Sequence, residues 1–204
     1  MSSARFQATR AAILDATLRL LERDGYHAVG LAAVAAEAGV SRQAIYLHFA
    51  SKAKLLKALV DALHEKYVVP AFERRRVWES ASGLEALDAW VDVVALTTPP
   101  ILAVANAVDA ARRSDPEAET IWRRPTRSRY EGCLRIARWL EQDGTLAPGW
   151  EPTDAARFLW AATSLRLFDD LTSHGWSRRR YTRLLQRSLR AAFTATAGDD
   201  HRSR

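Results

Sequence analysis

Apolar positions recur with a helical period along nearly the whole chain, and no stretch alternates long enough to predict a sheet. Ile13, Leu14, Thr17, Leu20 and Leu21 share one face of a predicted helix over 6–23, which Asp24-Gly25 closes. Two short helices follow, over 30–38 and from Ser41 to about Leu47, separated by Gly39-Val40-Ser41. Ser51 caps a long helix running from Lys52 towards Arg74, with Leu55, Leu56, Leu59, Val60 and Leu63 apolar and Pro70 bending or shortening it. Beyond a polar break at 78–83 the pattern predicts helices over 84–98, 100–113 and 116–143, the last kinked or split at Pro125. Two more are expected over 152–173 and 177–196. The fold class is therefore all-α, with about nine helices in total.

The segment from Leu31 to Phe49 carries the strongest local signal. Leu31, Val34, Ala35 and Ala38 form one apolar face, and Gly39 permits the left-handed backbone that a tight reversal needs. Val40 plugs inward, Ser41 caps the next helix, and Ile45 and Phe49 point back to a core. This is a helix-turn-helix hairpin. Its second helix leaves Arg42, Gln43, Tyr46 and His48 outward, with Ser41 at the N-terminus. Arg offers two donors to guanine O6/N7, and Gln pairs with adenine N6/N7. Tyr46, His48 and Lys52 are suited to phosphates, and Lys52 also opens a helix whose free amides attract an anion. The bland alternative is a helical hairpin with a solvated polar face.

Arg10, Ile13-Leu14, Ala16, Leu20, Gly25-Tyr26, Ala35, Ala38-Gly39-Val40-Ser41, Ile45-Tyr46, Phe49, Ser51-Lys52 and Leu55 together resemble the DNA-binding domain of the TetR (tetracycline repressor) family. The resemblance covers Arg10 to Leu56 and adds Arg10 to the DNA-contacting set. It departs at Gly30, where the family usually has Thr or Ser, at Gln43, often Gly, and at Ala53, commonly Glu. What it implies is an N-terminal three-helix DNA-binding domain (1–52), a larger helical ligand-binding and dimerisation domain (53–197) and a disordered tail (198–204). It also implies a homodimeric repressor on a palindromic operator in double-stranded DNA, released by a small-molecule effector.

The region from Ala155 to Leu171 reads as apolar almost all the way round, which requires burial on more than one side. With the family's two-fold bundle of last helices, this places Leu159, Leu165, Phe168, Leu184 and Leu185 at a dimer interface. Arg180, Arg183, Arg187 and Arg190 line the opposite face of the final helix and read as a solvated basic face. Polar and aromatic residues inside apolar stretches mark small-molecule sites. Trp90, Thr98, Asn106, Trp122, Tyr130 and Trp160 are accordingly expected to contact a largely apolar, aromatic-containing effector.

Composition narrows the alternatives. The balance of 48% hydrophobic and 26% charged residues excludes wholesale disorder, and the +6 net charge favours polyanionic partners. Cys133 is the only cysteine, so an internal disulfide and a Cys-based zinc site are excluded. The N-terminus lacks a signal pattern, and the longest uncharged run, Val93 to Val108, falls short of the roughly 20 residues of a membrane span. A cytoplasmic protein with no membrane association, cofactor or metal is expected. His27, His48, His64, His174 and His201 show no metal-ligand spacing, which weighs against a helical-bundle enzyme. A ligand-blind dimeric DNA binder stays open.

Overall fold

A computed structural model describes residues 3–194; the proposed tail at 198–204 lies outside them. The helices are α1 (Ser3–Asp24), α2 (Leu31–Glu37), α3 (Arg42–His48), α4 (Lys52–Leu63), α5 (Val69–Arg75), α6 (Gly83–Ala111), α7 (Pro116–Gln142), α8 (Pro152–Ala162), α9 (Leu165–Ser173) and α10 (Arg178–Phe193). Among the described residues there is no strand, only an isolated bridge between Leu146 and Thr194. The all-α expectation holds.

The expected and observed elements differ where prolines and caps compete. The helix expected over 52–74 is interrupted by a π-turn at His64–Val68, and Pro70 sits in the first turn of α5, where its missing N–H costs nothing. Conversely, α6 runs unbroken through Pro99-Pro100, and α7 through Pro125. Each proline removes one rung of the ladder. Thr97 and Thr98 donate back to the Val93 and Val94 carbonyls at 2.9 and 2.7 Å, a bonding mode that often bends helices. The single helix expected over 152–173 is split, because the Ser164 hydroxyl accepts from the Leu167 N–H and starts α9 afresh. By length and composition α6, with 29 residues, is apolar enough to cross a membrane. It nonetheless sends Leu87, Trp90 and Val91 into one core and Val104 and Val108 into another.

The chain forms two compact units. The first takes the chain up to Tyr67 together with Pro100–Pro125; the second takes Val68–Pro99 and the chain from Thr126 onward. Each passage of the chain between units coincides with a helix irregularity: the π-turn, the Pro99-Pro100 pair and Pro125. The first unit therefore contains more than an N-terminal segment. Its core joins Ile13, Leu20, Tyr26, Val34, Ile45, Phe49 and Leu55 to Val104, Val108, Ala118 and Ile121.

The second unit buries Leu87, Trp90, Ile136, Leu140, Leu159, Phe168, Tyr181, Leu189 and Phe193. Two glycines set its closest approaches. A Cβ on Gly132 would stand 2.3 Å from the Trp90 ring, and one on Gly83 would stand 2.7 Å from the Leu140 backbone nitrogen. The backbone cannot swing aside as a side chain can. Gly83→Ala should therefore cost about 1–3 kcal/mol through overpacking, read as a lower urea midpoint at unchanged slope. An unaltered midpoint would show that α6 and α7 are not pinned at this contact.

Candidate nucleic-acid interface

The α2–α3 turn closes as its residues dictate. Gly39 takes φ 67°, the Val40 N–H reaches back to the Ala35 carbonyl at 2.9 Å, and the Ser41 hydroxyl accepts from the Ala44 N–H at 3.1 Å. Ile45 is fully buried and Phe49 nearly so, which fixes the rotation of α3 about its axis. Arg42, Gln43, Tyr46 and Leu47 are left exposed along one stripe. Tyr46 and Leu47 are 61% and 64% exposed, high for large apolar side chains. Leu47 was not among the expected contacts. The signal was present: with Ile45 and Phe49 inward, the residue midway between them must face out.

Three expected contacts are placed differently. His48 turns away from the stripe, its ring 4.1 Å from that of Phe6 and 6.3 Å from that of Phe49. Desolvation first, then the Arg10 charge, hold its pKa below the ordinary 6.5. A neutral imidazole packed between rings is a poor phosphate ligand. Lys52 is likewise committed within the chain: Nζ donates to the Tyr26 carbonyl at 3.0 Å and lies 3.7 Å from the Tyr26 ring centroid. Arg10 is half-buried with its guanidinium 5.5 Å from the Phe49 ring centroid. Ser41 is exposed, and its O–H remains able to donate while the oxygen caps α3.

Tyr26 ties the start of α4 to the head of α7 within the first unit. Its buried phenol donates to Asp115 Oδ2 at 2.6 Å, at the start of α7. Asp115 Oδ1 also accepts from the Glu117 and Ala118 amides at 2.8 and 3.4 Å, capping that helix. The Tyr26 bond, then the amides, draw the Asp115 carboxyl below its usual pKa, while burial and that carboxylate push the phenol up. Arg19 and Arg23 converge on Glu37 at 3.1 and 3.3 Å and lash α1 to α2.

The six expected effector contacts are divided between units: Asn106 and Trp122 belong to the first, Trp90, Thr98, Tyr130 and Trp160 to the second. Thr98 is satisfied by its own helix. Trp90 is core, 5.6 Å from Phe72 and 6.0 Å from Trp78 between ring centroids. Of the expected dimer residues, Leu159, Phe168 and Leu185 are consumed by the chain's own core, whereas Leu165 and Leu184 are half-buried. Ser164 splits the helix expected over 152–173, and Leu159 on α8 and Phe168 on α9 both enter the chain's own core. The basic face of α10 is not wholly solvated, since Arg190 pairs with Asp88.

Residues 13–59 match the family model described as bacterial regulatory proteins, tetR family. The N-terminal hairpin region is thus similar to the DNA-binding domain of that family. Over 61 residues it is 48% identical to the HTH-type transcriptional regulator TtgR of Pseudomonas putida, an alignment covering 30% of this chain and 29% of that protein. Whole-chain likeness is to structures of low identity. NalD, the secondary repressor of the MexAB-OprM multidrug efflux pump in Pseudomonas aeruginosa, aligns with a TM-score of 0.72 at 23% identity, over 92% of this chain and 96% of NalD. FadR of Bacillus subtilis in complex with stearoyl-CoA aligns at 0.73 and 18%, over 90% and 98%. These two establish the fold beyond the matched domain.

The Tyr26–Asp115 bond makes a pH-dependent prediction. A carboxylate whose folded pKa is depressed contributes stability above its unfolded value, here 3.8, and loses it as pH falls through the lower folded value. Tyr26→Phe should be less stable than the wild type in urea at pH 7, by roughly a two- to four-degree lower thermal midpoint. The gap should narrow towards pH 2–3 as Asp115 protonates in both proteins. A gap independent of pH would assign the loss to packing alone.

Proposed function

We propose that this chain is a ligand-responsive transcriptional repressor that binds a palindromic operator as a homodimer, with α3 in the major groove. The observation that carries the reading is the stripe of Arg42, Gln43, Tyr46 and Leu47, held outward by the burial of Ile45 and Phe49. In this reading Arg42 and Gln43 make two-point contacts with base edges and Leu47 packs on a thymine methyl. Tyr46 and Ser41 hold phosphates, joined by Lys54, which is exposed in the first turn of α4. Lys52 supports the hairpin from beneath.

Dimerisation supplies the second half-site. Phe158, 45% exposed, with Ala161, Leu165 and Leu184 supports an apolar face on α8–α10 for a second copy. The ligand response draws support from the fold shared with FadR, whose structure contains stearoyl-CoA. A cytoplasmic location fits the single buried cysteine. The second reading, a ligand-blind DNA binder, is favoured by one feature: Trp90 fills the second unit's interior up to Gly132.

Selection from a randomised duplex library at two salt concentrations tests the reading. Arg42→Ala and Gln43→Ala should each relax preference at one base pair of every half-site by about 1–3 kcal/mol, with the salt slope unchanged for Gln43. Leu47→Ala should weaken only a thymine preference. Lys54→Ala should lower affinity evenly across sequences and flatten the slope by about one contact. Wild-type base preference in all three α3 variants would refute this assignment.

A further inference from the structure

The interior of the second unit contains a cation with no counter-charge. Arg129, on α7, is half-buried, and its Nη1 donates to the Trp160 carbonyl at 2.9 Å, the Thr163 carbonyl at 2.9 Å and the Thr163 hydroxyl at 3.2 Å. These groups form the C-terminal end of α8, which offers only partial negative charge. Neighbouring arginines on α7 have carboxylates: Arg123 pairs with Glu119 and Arg127 with Glu131. Arg129 has none among the described residues. Two nearby groups would neutralise it if ionised, Cys133 one turn along α7 and Tyr181 on α10. Burial pushes both up to about 12, against the pull of the Arg129 charge. Both are therefore neutral near pH 7.

Polar groups around this guanidinium are also unsatisfied. The Trp160 ring centroid lies 4.9 Å from it, and the Trp160 indole N–H is buried with no hydrogen-bond partner. The Tyr181 hydroxyl is equally unpartnered on a side chain only 1% exposed. Buried polar groups are nearly always paired, so two orphans beside one uncompensated cation call for an explanation. Arg and Trp can only donate, and the Tyr hydroxyl is free to do so. What the cluster lacks is an acceptor bearing negative charge.

We infer that Arg129, Trp160 and Tyr181 form an effector subsite that takes the carboxylate of a small apolar acid, with the aromatic surface of Trp160 receiving its body. This rests on the ligand-response reading and adds the chemical class of the ligand. The free edge of the Arg129 guanidinium supplies the charge-assisted bonds to the carboxylate, and the indole N–H and phenol O–H complete them. Trp160, only half-buried, is the side chain that yields to admit the acid.

The test uses the full chain with phenylacetate and its neutral counterpart phenylacetamide, titrated by tryptophan fluorescence and calorimetry, with operator affinity measured alongside. Wild type should bind phenylacetate at least roughly tenfold more tightly than phenylacetamide. Arg129→Gln should bring that ratio close to one, and Tyr181→Phe should reduce it without unfolding the protein. Arg135→Gln, an exposed arginine on the same helix, should leave it intact. If Arg129→Gln does not fold, the wild-type ratio and Tyr181→Phe decide. Equal binding of acid and amide, binding of neither, or a preference that follows Arg135 would overturn the subsite. If the amide binds and releases operator, the ligand response stands and the carboxylate subsite falls. If phenylacetate binds through Arg129 with operator affinity unchanged, the subsite stands and the ligand response falls.

Discussion

A helix of seven residues cannot hold itself in water, because nucleation costs more than so few hydrogen bonds return. Everything asked of α3 therefore depends on the two side chains it buries. Ile45 and Phe49 enter a core assembled from α1, α2 and α4, and their insertion leaves Arg42, Gln43, Tyr46 and Leu47 no option but to face outward. The same core extends to Val104, Val108, Ala118 and Ile121, so the small hairpin does not stand alone. Tyr26 is where these parts meet. Its ring carries Lys52, its carbonyl receives the Lys52 ammonium, and its hydroxyl reaches Asp115 at the head of α7.

The irregular points of the long helices belong to the same economy of structure. Pro99-Pro100 and Pro125 interrupt hydrogen bonding without ending α6 or α7, and the π-turn separates α4 from α5. These are the places where the chain passes from one compact unit to the other. Losing one or two rungs from a helix buried on several sides costs less than breaking it, because packing rather than propensity provides most of its stability.

Much of the first unit was legible in the sequence because its pattern is local. Gly39, Val40, Ser41, Ile45 and Phe49 specify a hairpin within a dozen residues, and the structure draws them together as expected. Lys52 and His48 were misplaced because their partners are distant or in an adjacent element: Tyr26 lies far upstream, and Phe6 belongs to α1. No periodicity reveals that an ammonium will sit on a ring. The second unit was harder for a related reason. Prolines were given too much authority in α6 and α7, and Ser164 too little between α8 and α9. Once α8 and α9 merged in the reading, Leu159 and Phe168 seemed to need a partner chain that the fold itself supplies. Arg129 passed unnoticed because charged residues surround it in sequence, and only three-dimensional placement shows its guanidinium turned onto the end of α8, against Trp160 and Thr163, with no carboxylate beside it among the described residues.

The central claim is that an outward stripe on α3 reads base sequence, twice, from a two-fold dimer. Enrichment of wild-type binders from random duplex DNA tests it most directly. The account predicts a single inverted repeat with half-site centres one helical turn, or a multiple of it, apart. Binding that enriches no sequence, or enriches one without two-fold symmetry, would contradict it.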